Sequence, residues 1–73
     1  MDPIIAWINA YTGQQVTYWT TFDQLKWDPF DEAAAVHWAS KQFNIDPKCY
    51  DQDLWFPMVK DFIDWVQVNK RSY

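Results

Sequence analysis

The chain has 73 residues and a formal net charge of −4, and aromatic residues make up 21% of it, including six tryptophans. A single cysteine excludes an intramolecular disulfide scaffold, and so high an aromatic content is not typical of intrinsically disordered chains. Residues 1–73 are therefore expected to form one small domain.

The first predicted helix runs from about Pro3 to Tyr11. Asp2 is a favourable N-cap residue, and proline suits the first position of a helix. Apolar residues recur at helical spacing as far as Tyr11. Gly13 is the only glycine of the chain and lies where a left-handed C-cap is needed.

Residues 14–21 are rich in β-branched and aromatic side chains, which favour extended structure. No second strand is evident in the sequence. The segment is an extended connector, an edge that pairs with something else, or a helix that overrides its propensity. Thr21 and Gln24 have the spacing of a capping box, which predicts a short helix from Phe22 to Trp27.

The next predicted helix runs from Pro29 to Phe43. Asp28 precedes it as N-cap and Asn44 follows it as C-cap. Two apolar ridges are expected on this helix, Ala35–Ala39–Phe43 and Phe30–Ala34–Trp38.

The last predicted helix starts at Leu54 or Pro57 and ends at Asn69, with Asp51 or Asp53 as its cap. Its apolar face is expected to consist of Leu54, Trp55, Met58, Val59, Phe62, Ile63 and Val66. The predicted fold is therefore all-α, with four or five short helices in a single domain and with residues 14–21 helical or extended.

Residues that support catalysis or metal binding are scarce. His37 and Cys49 are the only histidine and the only cysteine, too few ligands for a tetrahedral zinc site. We interpret His37 as a surface or helix-packing residue and Cys49 as a small, partly buried one. The aspartates between residues 46 and 53 lack the glycine and glutamate of a calcium-binding loop. We expect no enzyme activity, no metal and no cofactor.

The apolar stretches of the chain are too short to cross a bilayer. The N-terminal residues do not have the pattern of a signal peptide. Together with one unpaired cysteine, these features predict a cytoplasmic protein without a membrane partner.

The aromatic side chains carry more apolar surface than so small a domain is expected to bury, which favours a protein-binding function. The predicted anchors are Trp19, Trp27 and Trp65, because tryptophan buries a large area at a small entropic cost. Asp61 and Asp64 are the predicted acidic contacts. The alternative interpretation is that the three indoles complete the core.

The leading functional hypothesis is a non-enzymatic module that acts as a small acidic inhibitor or adaptor. It would cover a site on a larger protein, including a basic protein that handles nucleic acid. One alternative is a homo-oligomeric structural protein, a homodimer in its simplest form, that associates through residues 16–21 or the last helix. A second is a single-stranded nucleic-acid binder, which the scattered basic residues disfavour because this mode of binding needs a positively charged groove.

Overall fold

The computed structural model describes residues 2–50 and 54–70. Within these ranges the chain forms helices and turns and no β-strand, so the all-α prediction is confirmed. The described residues contain three α-helices instead of four or five, and their additional helical segments are single 3₁₀ turns. The elements are α1 (Pro3–Thr12), a first 3₁₀ turn (Asp23–Leu25), α2 (Pro29–Phe43), a second 3₁₀ turn (Pro47–Cys49) and α3 (Val59–Asn69).

Aspartate caps begin α1 and α2 where they were predicted. The Asp2 carboxylate accepts a hydrogen bond of 2.8 Å from the N–H of Ile4. The Asp28 carboxylate accepts one of 2.9 Å from the N–H of Asp31, and the Asp31 carboxylate accepts one of 3.1 Å from the N–H of Asp28. This reciprocal pair satisfies two backbone donors at the start of α2.

Residues in the left-handed conformation end both helices, also as predicted. Gly13 has φ 71° after α1, and Asn44 has φ 56° after α2. Glycine adopts this conformation without a Cβ penalty, and asparagine tolerates it better than most residues. As a result α2 has the predicted bounds, and α1 ends one residue later than predicted.

The helix predicted from Phe22 to Trp27 is wrong in its length, because only the single turn of residues 23–25 forms. The capping box itself is present: the N–H of Gln24 donates to Thr21 Oγ1 at 3.3 Å, and the N–H of Thr21 donates to Gln24 Oε1 at 3.0 Å. Lys26 then adopts φ 54°, which stops the turn from continuing.

Residues 14–21 form a connector without helix, and its backbone pairs with the start of α3. The N–H of Val59 donates to the carbonyl of Thr20 at 2.9 Å, and the N–H of Lys60 donates to the carbonyl of Tyr18 at 2.9 Å. The first backbone donors of a helix have no partner inside that helix. The connector therefore supplies acceptors that α3 needs.

The same pairing delays the start of α3, so the start predicted at Leu54 or Pro57 is wrong. The N–H of Phe22 donates to the carbonyl of Pro57 at 3.1 Å. Thr21 and Met58 form an isolated antiparallel bridge. Met58 has extended backbone in this pairing, with φ −127° and ψ 157°, and the helix begins only after it.

Asp61 acts at the start of α3 by accepting a hydrogen bond of 3.1 Å from the N–H of Met58. The caps predicted for this helix, Asp51 and Asp53, lie outside the described residues.

The core lies where the three helices and the connector meet. Among the described residues it contains no buried polar side chain, and no buried side-chain nitrogen or oxygen lacks a partner. The buried residues are Ile4, Ile8, Val16, Phe22, Leu25, Ala35, Val36, Ala39, Ile45, Phe56, Val59, Phe62, Ile63 and Val66. No helix within residues 2–50 and 54–70 is long and apolar enough to cross a membrane.

Candidate protein-binding surfaces

None of the six tryptophans belongs to the buried core. Trp7, Trp27, Trp38 and Trp65 are half-buried against it, whereas Trp19 and Trp55 are exposed. The expectation that this small domain leaves aromatic rings at its surface is therefore confirmed.

Six aromatic rings, five of them half-buried or exposed, form a continuous line of contacts where α1 and α2 meet. Trp7 stacks on Tyr11 and on Trp38, with interplanar angles of 12° and 17°. Consecutive ring centroids in the line lie 4.8 to 5.8 Å apart. This ring row consists of Phe22, Trp27, Tyr11, Trp7, Trp38 and Phe43, in that order.

Two of the predicted anchors make ring contacts within the chain. Trp27 belongs to the ring row and contacts Phe22 and Tyr11. Trp65 contacts Phe56 at 5.7 Å and Phe62 at 6.1 Å between ring centroids. For these two indoles, part of the apolar area is thus used in packing, which leaves Trp19 as the least engaged of the three.

Trp19 lies in a turn formed by residues 17–20 and is 66% exposed. The N–H of Thr17 donates to Thr20 Oγ1 at 2.9 Å, and the N–H of Trp19 donates to Thr17 Oγ1 at 3.2 Å. Tyr18 beside it is also exposed, and its carbonyl accepts from the N–H of Lys60. The exposed indole therefore projects from backbone that is fixed on both sides of the turn.

Two rings that are even more exposed than Trp19 were missed by the sequence analysis. Phe30 is 85% exposed and Trp55 is 68% exposed. Both were assigned to apolar helix faces, but Phe30 lies outside the buried face formed by Ala35, Val36 and Ala39, and Trp55 precedes α3. For Phe30 the angular distance from that face on a helical wheel was a usable signal.

The predicted acidic contacts have different surroundings. Asp61 is half-buried and bonds to the backbone before α3. Asp64 is exposed and forms an ion pair of 3.0 Å with Lys60, four residues earlier. The hydrogen bond from Lys60 to Asp64 raises the pKa of the ammonium group. Within residues 2–50 and 54–70, no hydrogen bond joins either carboxylate to a predicted anchor.

A groove lies on the side of α2 that faces Tyr50, and we call it the α2 groove. Its volume is about 260 Å³. Next to it, the hydroxyl of Tyr50 interacts with the Glu32 carboxylate. Burial raises the pKa of Glu32, and burial together with the nearby Glu32 charge raises the pKa of Tyr50. The α2 groove is lined by Ala33, Val36, His37, Ser40 and Tyr50.

His37 is exposed at the rim of the α2 groove, in agreement with its interpretation as a surface residue. Cys49 is exposed as well, so the expectation that it is partly buried is wrong. Within the described ranges, no three side chains of histidine, cysteine, aspartate or glutamate are grouped as metal ligands.

No known protein family, curated protein or solved structure matches this chain.

Proposed function

We propose that the chain is a non-enzymatic protein-binding module, a small acidic inhibitor or adaptor that covers a site on a larger protein. The observation that supports it most is the exposure of Trp19, Phe30 and Trp55, because the hydrophobic core is buried without these three rings. Large rings left in water are costly unless a partner covers them. A reducing compartment such as the cytoplasm would keep the exposed thiol of Cys49 free.

Trp19 is the best placed of these rings to act as an anchor. The hydrogen bonds of Thr17 and Thr20 and the backbone bond to Lys60 fix the turn before any partner arrives. A fixed indole loses little conformational entropy on binding, so more of its buried area contributes to affinity. Tyr18 lies beside it and enlarges the apolar contact.

The charge distribution favours a basic partner, including one that normally binds nucleic acid. Residues 23–32 contain four acidic residues and one lysine, whereas residues 14–22 contain no charged side chain. In such a complex the carboxylates of residues 23–32 would occupy positions that phosphates occupy otherwise, and Phe30 lies among them. Association of this kind weakens as salt rises, because mobile ions screen exposed charges.

The test begins with affinity capture from the source lysate and continues with the purified partner. Trp19→Ala is expected to reduce affinity at least about tenfold without changing the thermal midpoint, as for an interface anchor. The matched control is Val68→Ala, which truncates a hydrophobic side chain on α3 that is 82% exposed and is expected to bind normally. Wild-type affinity for Trp19→Ala, Trp55→Ala and Phe30→Ala alike would contradict the proposal.

The salt dependence tests the basic character of the partner separately. Affinity is expected to fall several-fold between low and physiological salt. Affinity that does not change with salt would leave a docking role for Trp19 but would exclude a partner chosen by charge.

The homo-oligomeric alternative has a simpler test. Sedimentation at high micromolar concentration distinguishes a monomer from a dimer. In the segment of residues 16–21 that would pair across a dimer, Tyr18, Thr20 and Thr21 already pair with residues 58–60. We therefore expect a monomer.

A further inference from the structure

The α2 groove has the dimensions of a site for one side chain. Its volume of about 260 Å³ lies below the range of roughly 300–1,000 Å³ for pockets that hold cofactors or drug-sized ligands. Ala33 and Val36 give it an apolar surface, and His37, Ser40 and Tyr50 add polar atoms. An aliphatic chain with a polar end fits this combination.

Glu32 supplies the charge beside this groove. It lies one helical turn before Val36, is half-buried, and interacts with the hydroxyl of Tyr50, which lines the groove. No lysine or arginine of residues 2–50 and 54–70 forms an ion pair with Glu32. A partly desolvated carboxylate is stabilised by a cation that comes within contact distance.

We propose that the α2 groove receives an arginine side chain of a basic partner protein. The aliphatic stem lies along Ala33 and Val36, and the guanidinium group bonds to the Glu32 carboxylate beside the ring of Tyr50. This inference rests on the proposed function and names the chemistry of the partner.

Arginine fits this arrangement better than lysine does. Its planar guanidinium group forms two parallel hydrogen bonds with one carboxylate and stacks on an aromatic face. Glu32 offers the carboxylate and Tyr50 the ring. The lysine ammonium group is a more strongly hydrated point charge that loses more on leaving water.

The experiment is an NMR titration of the ¹⁵N-labelled full chain with N-acetyl-arginine N-methylamide. Saturable shift changes are expected at the amides of the residues that line the α2 groove. The citrulline derivative has the same length but no charge and is expected to produce no saturable change. The lysine derivative is expected to bind more weakly than the arginine derivative.

Two matched pairs of variants locate the site. Glu32→Gln is expected to weaken arginine binding about fivefold, as for loss of a partly exposed ion pair, whereas Asp64→Asn removes the same charge from α3 and leaves binding unchanged. Ala33→Leu fills the groove and is expected to abolish binding. Ala10→Leu makes the same substitution at an exposed alanine of α1 and retains binding.

Three results would overturn the inference: shift changes spread over the whole surface, equal binding of arginine and citrulline derivatives, or equal effects of Glu32→Gln and Asp64→Asn. The titration uses a single amino-acid derivative and no partner protein. If this derivative did not bind, the docking test of Trp19 would therefore be unaffected. If Trp19→Ala bound the partner with wild-type affinity, the titration would still test arginine binding to the α2 groove independently.

Discussion

The hydroxyl of Tyr11, near the end of α1, donates a hydrogen bond of 2.7 Å to Oδ1 of Asp31 in the first turn of α2. Asp31 also accepts from the backbone N–H of Asp28. One carboxylate thus links the two helices and forms half of the capping box of α2. Its ionised form is the one that these two donors stabilise.

This link predicts a specific pH dependence. The hydrogen bond from Tyr11, followed by that from Asp28, lowers the pKa of Asp31 in the folded protein. The stabilisation from Asp31 is therefore present above its unfolded pKa, which is near 3.8, and is lost as pH falls through the lower folded value. The hydrogen bond to Asp31 raises the pKa of Tyr11 in the folded protein above its ordinary value of 10.0. The stabilisation from the Tyr11 hydroxyl is therefore complete below pH 10.0 and is lost as pH rises through the folded pKa.

Tyr11→Phe tests the link directly. Removal of the hydroxyl is expected to raise the pKa of Asp31, measured from its side-chain carboxyl ¹³C shift by NMR. Tyr18→Phe is the matched control, because the hydroxyl of Tyr18 contacts Asp2 at 3.5 Å instead. An Asp31 pKa that is the same in both variants would show that the tyrosine bond does not stabilise the carboxylate.

The tryptophans are expected to separate into structural and surface residues. Trp7→Ala removes two stacked ring contacts of a half-buried indole and is expected to lower the free energy of unfolding by about 2 kcal/mol, since an aromatic pair contributes roughly 0.5–1.5 kcal/mol. Trp19→Ala is expected to change it by less than about 0.5 kcal/mol, because its indole is mostly in water. Urea unfolding measures both. A large loss for Trp19→Ala would mean that its ring stabilises the fold.

The helix starts and ends that were predicted correctly depend on local sequence. Asp2 and Asp28 cap the helices that follow them immediately, and Gly13 and Asn44 end helices through their own φ. Such interactions span a few residues, so a sequence pattern contains all the groups that take part. This is why α2 has its predicted bounds although no contact with α1 was considered.

The predictions that failed depend on residues far apart in the sequence. The start of α3 is set by the pairing of Met58 with Thr21, and no pattern within residues 54–69 records that partner. Partial burial of Trp27 likewise depends on where α1 lies, because its ring packs against Tyr11. The sequence therefore predicted surplus aromatic surface and named Trp19 as one of the rings that carry it, but not Phe30 or Trp55.

Gly13 ends α1 in the left-handed conformation, which predicts how much an added Cβ at this position destabilises the protein. Gly13 has φ 71°, and a Cβ atom there would meet nothing within 4 Å. Gly13→Ala is therefore expected to lower the free energy of unfolding by about 1 kcal/mol through backbone conformation alone. Gly13→Asn is expected to cost less, because asparagine tolerates this conformation. Equal stability of Gly13→Ala and the wild type in urea would contradict the assignment of the left-handed conformation to Gly13.

The pairing of the connector with α3 predicts unusual hydrogen exchange. The amides of Val59 and Lys60 belong to the first turn of a helix, where donors normally exchange with solvent. Here they bond to the carbonyls of Thr20 and Tyr18. We expect them to exchange roughly tenfold or more slowly than the Phe30 amide in the first turn of α2, relative to intrinsic rates. Similar protection at all three amides would mean that the connector separates from α3 in solution.

The two aspartates of α3 are expected to differ in their effect on stability, although they are only three residues apart. Asp61 accepts from the N–H of Met58, so Asp61→Ala leaves a donor at the helix start without its partner and is expected to cost about 1 kcal/mol. Asp64→Ala removes only an exposed pair with Lys60, which is screened by water and salt. Asp64→Ala is therefore expected to leave the urea midpoint unchanged in 1 M salt. Surface ion pairs contribute least under these conditions, because the Debye length is about 3 Å. If Asp64→Ala proved as destabilising as Asp61→Ala in high salt, the exposed carboxylate would have to stabilise α3 by something other than its pairing with Lys60.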